Sequence, residues 1–391
     1  MGTQKIAIYS GEIPSTTFIE RLVEGLADSG KKVFLFGTLK KRKKYSKNVI
    51  VVAYENRLQK AFQLLYYGLL LMLFKNNDKK KLDNLLLQQG RFSYQSKAKY
   101  YPVLYHQPDI FHLQWAKGVE DWMWVQEFGI KFVLSLRGTH ITISPVADKQ
   151  LSAEYLSYFP KLDGFHAVSQ SIAQEAVSYG ADASKIKVVY SGLDLTKFPF
   201  SGEKKTGNKL KIISVGRDHW VKGYSYALDA MALLQQENFD FHYTIIGVQN
   251  DEELLFQRAQ LELQGKVFFR DNLPFETVVS EIKSADILLL PSVEEGIANV
   301  VLEAMALGTL VVSTDCGGMS EVISDGENGF LVPIRNPEAM AATIKRAALL
   351  SDESRLAITQ RARQTIEKQH NESLMVADMM TLYESVLNGK R

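Results

Sequence analysis

Two glutamates and an asparagine stand in a short stretch whose spacing suits the binding of hydroxyl groups. Glu295 lies in a glycine-containing loop that follows an apolar run, whereas Glu303 lies in a segment of helical periodicity that begins near Asn299. Asn299 and Glu303 are four positions apart and therefore share one face of the predicted helix. The two carboxylates can accept hydrogen bonds from two sets of sugar hydroxyls. Taken alone, however, isolated glutamates at such positions are more often ordinary solvated residues.

A second group of residues supplies positive charge. Arg217 and Lys222 lie in a loop that follows the predicted strand Leu210–Val215, and Gly216 lets the backbone turn there. Two cations that converge at one strand end can neutralise a diphosphate leaving group without a metal ion. The alternative is that both are surface residues, which is the usual position of a single arginine or lysine.

These residues follow short apolar runs that we predict to be strands of parallel sheets. Runs of β-branched residues alternate with longer amphipathic stretches, which is typical of a doubly wound α/β fold. In the first half the predicted strands are Lys5–Tyr9, Lys32–Phe36, Val49–Ala53, Ile110–Gln114, Phe132–Leu136, Gly164–Val168 and Ile186–Tyr190. In the second half they are Leu210–Val215, Phe241–Ile246, Lys266–Phe269, Ile287–Leu290, Leu310–Ser313 and Phe330–Val332. A polar segment, 200–208, separates the two series and predicts a linker between two domains.

The composition excludes several classes of protein. With 391 residues, 46% of them hydrophobic and 23% charged, the chain is expected to form two globular domains. A formal net charge of +2 predicts no general affinity for nucleic acid. The single cysteine, Cys316, excludes an internal disulfide and a cysteine zinc site. The absence of a Gly-x-Gly-x-x-Gly pattern disfavours a dehydrogenase.

The apolar and basic segments near the N-terminus bear on localisation. No secretion signal is recognisable, and the longest apolar run, 61–74, is shorter than the roughly 20 residues of a membrane span. We therefore expect a cytoplasmic protein. Basic runs at 40–47 and 79–81 flank the apolar stretch 58–74, which predicts peripheral contact with an anionic membrane through 40–81. A buried helix with solvated lysines remains an equal alternative.

Taken together, the motifs resemble those of the family-4 glycosyltransferases of the GT-B type. The resemblance rests on a Pro-Ser…Glu-Gly…Asn…Glu-Ala-Met-Ala frame over 291–306, Gly-Arg…Lys-Gly over 216–223, Asp-Cys-Gly-Gly over 315–318, and the stretches 167–169 and 189–198. Pro14-Ser15 followed by Thr17-Phe18 resembles a variant seen in bacterial surface-polysaccharide enzymes. The resemblance implies two Rossmann-like domains, each a doubly wound parallel sheet, that face a central cleft.

The resemblance also implies a role for each donor-side residue. Glu303 would hold the ribose hydroxyls of a nucleotide, and Glu295 would contact the donor sugar near the reacting centre. Arg217 and Lys222 would bind the diphosphate and stabilise its departure. Glu295, Arg217 and Lys222 are therefore the expected catalytic residues. The backbone groups implied in donor binding are those of Gly296, Asn299 and Val300.

The reaction implied is transfer of a sugar, with retained anomeric configuration, from a UDP- or GDP-linked donor to a saccharide or lipid-linked acceptor. Such enzymes have no settled protein nucleophile, so leaving-group stabilisation with same-face attack by the acceptor hydroxyl is the expected mechanism. The chain contains no Asp-x-Asp triplet, which fits metal independence, and no cofactor is expected. The product would belong to bacterial polysaccharide or glycolipid biosynthesis.

The acceptor half departs from the family pattern. The loop after the first strand offers Gly11 and Thr16 in place of a glycine-rich turn. Arg137 stands where many members have a histidine that approaches the donor sugar, and His140 is a candidate substitute with a catalytic role. His112, at the end of another strand, is a further acceptor-side candidate, although such histidines are as often structural.

The resemblance assigns a task to each domain. We expect an acceptor-binding domain over 1–199, the linker 200–208, a nucleotide-sugar-binding domain over 209–372, and a final helix, 373–391, that crosses back to the first domain. Two other functions stay open. One is a different GT-B enzyme, such as a nucleotide-sugar epimerase or a phosphorylase, and the other is a non-catalytic partner protein. The intact pairs Arg217…Lys222 and Glu295…Glu303 argue against both.

Overall fold

The computed structural model describes residues 3–202 and 209–389, so most of the predicted linker, 203–208, lies outside the described residues. Two parallel sheets carry all thirteen strands that the sequence predicts, with ends that differ by a few residues. The strands are β1 (Lys5–Ile13), β2 (Lys32–Leu39), β3 (Val49–Tyr54), β4 (Ile110–Leu113), β5 (Lys131–Leu136), β6 (Gly164–Ala167), β7 (Ile186–Val188), β8 (Leu210–Val215), β9 (Phe241–Ile246), β10 (Val267–Arg270), β11 (Ile287–Leu290), β12 (Leu310–Thr314) and β13 (Phe330–Val332).

Helices connect the strands and cover both sheets. They are α1 (Thr17–Asp28), α2 (Arg57–Phe74), α3 (Asn76–Gln88), α4 (Tyr94–His106), α5 (Val119–Trp122), α6 (Thr139–Thr142), α7 (Ser144–Ala147), α8 (Lys149–Tyr158), α9 (Gln170–Ser178), α10 (Tyr224–Gln236), α11 (Glu252–Gln260), α12 (Phe275–Ser284), α13 (Asn299–Leu307), α14 (Pro337–Ala348), α15 (Asp352–Gln369) and α16 (Glu372–Asn388).

The chain divides into two compact units. One contains the described residues of 1–168, 172–192 and 372–391, and the other contains those of 169–171 and 193–371. The change from the first unit to the second therefore falls after Gly192, before the boundary at 199 that the sequence suggested. The physical reason is that Leu193 and Phe198 are fully buried in the core of the second unit. The C-terminal helix α16 belongs to the first unit.

The first unit is a seven-stranded parallel sheet in the order β3-β2-β1-β4-β5-β6-β7. Strands β4 and β6 are buried along their whole length, as expected for parallel strands covered on both faces. On one face the core gathers large aromatic side chains around the fully buried Trp122. On the other face α1 and α16 pack side by side, and Val376 of α16 lies so close to Gly25 of α1 that no side chain fits there.

The second unit is a six-stranded parallel sheet in the order β10-β9-β8-β11-β12-β13. In both sheets the strand order reverses direction beside the first strand, at β1–β4 in one and at β8–β11 in the other. Ligands of open α/β sheets bind at the carboxyl ends of the strands that flank such a reversal. The two donor-side motifs follow β8 and β11, which are the two strands at this position in the second unit.

Helix α2 has an exposed apolar surface. Only Tyr67 and Leu71 of its side chains are buried, so the alternative of a buried helix is wrong. The apolar face of α2 consists of Leu58, Phe62, Leu65, Tyr66, Leu69, Met72, Leu73 and Phe74, all exposed. No helix in the described part of the chain is long and apolar enough to cross a membrane.

Candidate functional site

The loop between β11 and α13 holds Glu295 in a fixed position. Its side chain is only 16% exposed, and its Oε1 accepts hydrogen bonds from Lys222 Nζ at 2.7 Å and from Ser292 Oγ at 2.9 Å. Ser292 is itself fully buried. Glu295 is therefore not a solvated loop residue, because one carboxylate oxygen is committed to an amine and a hydroxyl. No hydrogen bond to Oε2 occurs in the described chain, which leaves that oxygen available to a ligand.

The neighbouring helix α13 begins at Asn299, as the sequence predicts. Within residues 3–202 and 209–389, no group accepts a hydrogen bond from the first-turn N–H groups of Asn299 and Val300. The side-chain oxygen of Asn299 is buried and also has no partner there. Glu303 lies one turn further along the same helix and is partly buried. Free N–H groups at the positive end of the helix dipole form an anion site.

The loop after β12 packs tightly against the Glu295 loop. Gly318 N donates to Gly296 O at 2.8 Å. A Cβ atom at position 317 would lie 1.6 Å from the carbonyl oxygen of Glu295, and one at position 318 would lie 2.3 Å from that of Gly296. Gly317 also has φ of +54°, which L side chains rarely adopt. Glycine is therefore required at both positions for the two loops to meet.

The loop after β8 contacts the Glu295 loop through Lys222 and Gly223. Gly223 has φ of +64°, and a Cβ there would lie 2.1 Å from the carbonyl oxygen of Pro291. Val293 N donates to Val221 O at 2.7 Å, so the two loops are also hydrogen bonded. These contacts place the Lys222 amine against Glu295. Arg217, by contrast, is exposed, and its side chain has no hydrogen bond or ion pair with any described residue.

The single cysteine lies beside this site but is not a nucleophile. Cys316 is 3% exposed, and Thr314 Oγ1 lies 3.4 Å from its sulfur. Burial raises the pKa of the Cys316 thiol to about 12, and the nearby Glu295 and Glu294 carboxylates add to the rise. The thiol is therefore protonated at neutral pH. Within the described residues, no three histidine, cysteine, aspartate or glutamate side chains group to hold a metal ion.

Of the two acceptor-side candidates near β1, Gly11 lies within the strand and Thr16 directly precedes α1. β1 extends to Ile13, and its pairing with β2 shifts register between Tyr9 and Gly11. Gly11 has φ of +89°, and its carbonyl oxygen lies 2.6 Å from the point where Gly37 would carry a Cβ. Thr16 is exposed at the N-cap of α1, and its hydroxyl makes no capping hydrogen bond. The Thr16 hydroxyl is therefore not used by the helix.

His112 is a structural residue, and its prediction as an acceptor contact is wrong. It is fully buried, with Nδ1 at 2.7 Å from the Tyr383 hydroxyl and Nε2 at 2.8 Å from Ser135 Oγ. Ser135 Oγ also lies 2.8 Å from His166 Nδ1. Burial lowers the pKa of His112 to about 3, so the ring is neutral. Both ring nitrogens are committed to protein partners, which leaves none for a substrate.

Arg137 directly follows β5 and has no ion pair with a carboxylate in the described part of the chain. One terminal nitrogen donates to Gln114 Oε1 at 3.2 Å, the guanidinium stacks over the Phe18 ring at 4.2 Å, and Nε is buried with no partner among the described residues. Burial lowers the pKa of Arg137 to about 9. His140 is nearby in the chain, and its ring lies 5.3 Å from that of Trp115. The environment of Arg137 suits an anionic or hydroxyl-rich ligand.

Several residues of these sites were missed by sequence reasoning. Ser292, which supports Glu295, belongs to the recognised frame but carries no signal of its own. Gly247, with φ of +98°, lies against the carbonyl of Gly216 and lets the loops after β8 and β9 approach. Ser135 and Tyr383 complete the His112 network from distant parts of the chain. Of these residues, only Gly247 could have been suspected from the sequence, because a glycine directly after a predicted strand often marks a tight turn.

Two family models match the chain, one for each half. The model "Glycosyltransferase Family 4" matches residues 15–197, and "Glycosyl transferases group 1" matches residues 197–365. The chain belongs to the GT4-like glycosyltransferase family. The matches meet at 197, close to where the structure changes from one unit to the other. The predicted family is thereby confirmed.

Individual proteins resemble this glycosyltransferase over most of its length. The putative colanic acid biosynthesis glycosyltransferase WcaL of Salmonella typhimurium is 29% identical over 240 residues, which cover 60% of this chain and 59% of that protein. The chain thus matches about three fifths of that relative's length. Sucrose-phosphate synthase from Thermosynechococcus elongatus superposes with a TM-score of 0.77 at 17% identity, covering 98% and 99% of the two chains. The structure of Anabaena HepE with UDP-glucose superposes with a TM-score of 0.74 at 16% identity. The match covers 97% of this chain and 99% of HepE. These structures confirm the predicted GT-B fold class.

Proposed function

We propose that this glycosyltransferase moves a sugar from a nucleotide-diphosphate sugar to a hydroxyl of a saccharide or lipid-linked acceptor, with retention and without a metal ion. The observation that carries the proposal is the ion pair between Lys222 and Glu295 beside the free first turn of α13. The similar HepE structure contains UDP-glucose, which supports a nucleotide-sugar donor. The similarity to WcaL, named as a colanic acid biosynthesis glycosyltransferase, supports a polysaccharide product.

The donor side follows from the hydrogen-bonding capacity of these groups. A lysine amine has three N–H donors, and Lys222 uses one on Glu295, so two remain for diphosphate oxygens. The N–H groups of Asn299 and Val300 add donors to the same anion. Arg217, exposed and unpaired within the described chain, supplies a second cation for the phosphates. Glu303, one turn from the start of the helix, would accept hydrogen bonds from the ribose hydroxyls.

The reaction needs no protein nucleophile. The bond between the anomeric carbon and the diphosphate oxygen breaks, and the acceptor hydroxyl oxygen bonds to that carbon on the same face. The hydroxyl proton passes to the departing diphosphate. Glu295 Oε1 is occupied by Lys222 and Ser292, which suits a carboxylate that orients the sugar through Oε2 rather than one that attacks it. Positive charge at the leaving group lowers the barrier most.

Slow turnover of donor sugars tests this proposal without knowledge of the acceptor. The protein is incubated with UDP-, GDP- and ADP-sugars in EDTA, with methanol added as a small acceptor. NMR then assigns the anomer of the methyl glycoside, because a glycoside does not mutarotate. We expect free nucleoside diphosphate from one donor class, and a methyl glycoside with the donor's anomeric configuration. An inverted glycoside or loss of turnover in EDTA would contradict the proposal. A changed sugar still attached to nucleotide would identify an epimerase instead.

We further propose a cytoplasmic enzyme that rests on an anionic membrane through 40–81. That segment has twelve lysines and arginines against two acidic residues, although the whole chain has a net charge of only +2. Several of the cations are paired, as Lys43 is with Glu20 at 2.7 Å and Arg42 with Glu55 at 3.0 Å. The exposed apolar face of α2 lies within the same segment. Interfacial helices bind membranes by inserting an apolar face into the lipid, while the surrounding positive charges attract anionic headgroups.

Vesicle flotation tests the membrane contact. We expect the protein to float with vesicles that contain phosphatidylglycerol, less with phosphatidylcholine alone, and less again when Leu69→Ser and Leu73→Ser are combined. Flotation that is independent of both the lipid charge and these substitutions rules the contact out. The control is Leu349→Ser, which removes a still more exposed leucine from the second unit.

A further inference from the structure

An open apolar groove runs beside the edge strand of the first unit. It is lined by residues 50–53 of β3, by one side of α2 from Leu58 to Tyr67, and by His106. Its volume of about 620 Å³ falls in the range of ligand-binding clefts. Strand β3 is the last strand of the sheet, so on this side no described strand pairs with it. The groove, called here the β3–α2 groove, has no role in the donor chemistry.

The walls of the groove are mostly apolar, and none of the residues that line it is an aspartate, glutamate, lysine or arginine. Phe62 and Tyr66 stack nearly parallel, with ring centroids 6.5 Å apart, and both side chains are substantially exposed. His106 lies at the inner side, where its Nε2 is 3.0 Å from the Tyr67 hydroxyl. Burial lowers the pKa of His106 to about 4, with the positive charges of Lys32, Lys5 and Lys75 adding to the fall. The ring is therefore neutral at physiological pH, and an apolar occupant meets no ionised wall.

The inner end of the groove is polar. Gln63 and Val52 line both the groove and an adjoining pocket of about 30 Å³ that reaches Tyr9 and Thr38 on β1 and β2. The side-chain oxygen of Gln63 is buried without a hydrogen-bond partner in the described chain. A buried amide oxygen without a partner is destabilising, by about 1–3 kcal/mol. The small pocket has room for roughly one water or hydroxyl, which would supply the missing donor.

We propose that the β3–α2 groove binds the hydrocarbon chain of the lipid that carries the acceptor saccharide. This inference rests on the proposed function. The apolar walls match a chain of methylene groups, and the polar inner end matches the junction between a lipid chain and its headgroup. Positive charge in 40–81 complements a phosphate headgroup, and the exposed α2 face continues from the groove as a surface for the surrounding bilayer.

Photo-crosslinking tests the groove without requiring the natural acceptor. The probe is hexadecyl phosphate with a diazirine in its chain, added to the full-length protein, and labelled residues are mapped by mass spectrometry. We expect labelling at Val51, Phe62 and Tyr66, and competition by hexadecyl phosphate but not by butyl phosphate. Val51→Trp fills the groove and Phe62→Ser removes its wall, so either should lower this labelling at least fivefold. Leu156→Ser is the matched control, since Leu156 is an exposed leucine of α8 in the same unit and lies outside both the groove and the apolar face of α2.

Other occupants give different results, and each overturns the proposal. Labelling spread along Leu65, Leu69 and Leu73, and unaffected by Val51→Trp, shows adhesion to lipid without a chain site. A dimer that forms with rising protein concentration and excludes the probe shows that a second copy covers the groove. Donor hydrolysis is measured on the same samples. If labelling fails while hydrolysis persists, the groove inference falls alone, and if hydrolysis fails while labelling persists, the proposed function falls.

Discussion

The amine of Lys222 lies 2.7 Å from Oε1 of Glu295, and the two residues come from loops that follow different strands, β8 and β11. Both side chains are more than four-fifths buried, so the pair is screened from water far better than a surface ion pair. The pair fixes the position of a cation at the carboxyl edge of the sheet before any donor arrives. Preorganised charge of this kind is effective because it needs no rearrangement during the reaction.

Removing the amine should therefore affect the chemical step. We expect Lys222→Ala to lower kcat for donor turnover by roughly a hundredfold, the effect typical of losing one preorganised donor at developing charge. Lys209→Ala is the control, because Lys209 is a surface residue paired with Asp240 in the same unit. Stopped-time assays of nucleotide release, with melting curves of both variants, provide the comparison. Equal kcat in Lys222→Ala and Lys209→Ala would remove Lys222 from the reaction.

The contact between Gly317 and the Glu295 carbonyl should be required for donor binding. Gly317→Ala adds a Cβ where only 1.6 Å separates it from that oxygen, so the Glu295 loop must move. Gly326→Ala is a matched control, because Gly326 also has positive φ, +75°, but has open space around its Cβ position. Both changes should lower the free energy of unfolding by about 1–2 kcal/mol through backbone strain. Only Gly317→Ala should also weaken nucleotide binding, by tenfold or more in a titration.

The sequence predicted the fold well because each strand is a short apolar run that a parallel sheet buries completely. It also predicted which residues follow β8 and β11, because the family motifs are defined by residue types at fixed spacings along the chain. It did not predict that Lys222 contacts Glu295 while Arg217 stays exposed, because that depends on how Gly223 and Gly317 let separate loops meet. His112 was misassigned for a similar reason. Its partner Tyr383 lies 271 positions away, and nothing local distinguishes a buried histidine from one that lines a site.

The buried histidines should make the first unit sensitive to acid. Burial holds the folded-state pKa of His112 near 3 and that of His166 well below its ordinary value, whereas both titrate near 6.5 when unfolded. The unfolded state therefore binds more protons, and the free energy of unfolding falls as pH decreases from about 6.5 towards 3. Each histidine contributes up to about 1.4 kcal/mol per pH unit in that window.

Urea unfolding at pH 7.5 and at pH 5 measures this effect. We expect lower stability at pH 5 in the wild type, and a smaller difference in His112→Gln, which removes one of the titrating groups. His219→Gln serves as control, because His219 is partly exposed and lies in the second unit. A pH dependence unchanged by His112→Gln would show that His112 is not the source.

Arg137 should lower the free energy of unfolding of the free protein, but it should increase the rate of sugar transfer. The guanidinium of Arg137 has lost most of its hydration, but it donates to only one amide oxygen and its Nε has no partner among the described residues. These contacts do not offset the cost of removing the charge from water. We expect Arg137→Met to raise the free energy of unfolding by about 1 kcal/mol while it lowers sugar transfer. Thermal melts and transfer rates of the same preparations test both halves. A variant that is less stable and equally active would show that Arg137 only supports the fold.

Calorimetric titration of free nucleotides tests most directly whether the first turn of α13 with Glu303 is the donor site. UDP, GDP and ADP are titrated into the wild type, into Glu303→Gln, and into Glu276→Gln, an exposed first-turn glutamate of α12. We predict that one nucleotide binds the wild type and Glu276→Gln equally, and that Glu303→Gln weakens it by roughly tenfold to a hundredfold, as expected for lost charge-assisted hydrogen bonds. Equal affinity in the wild type and Glu303→Gln would contradict the account.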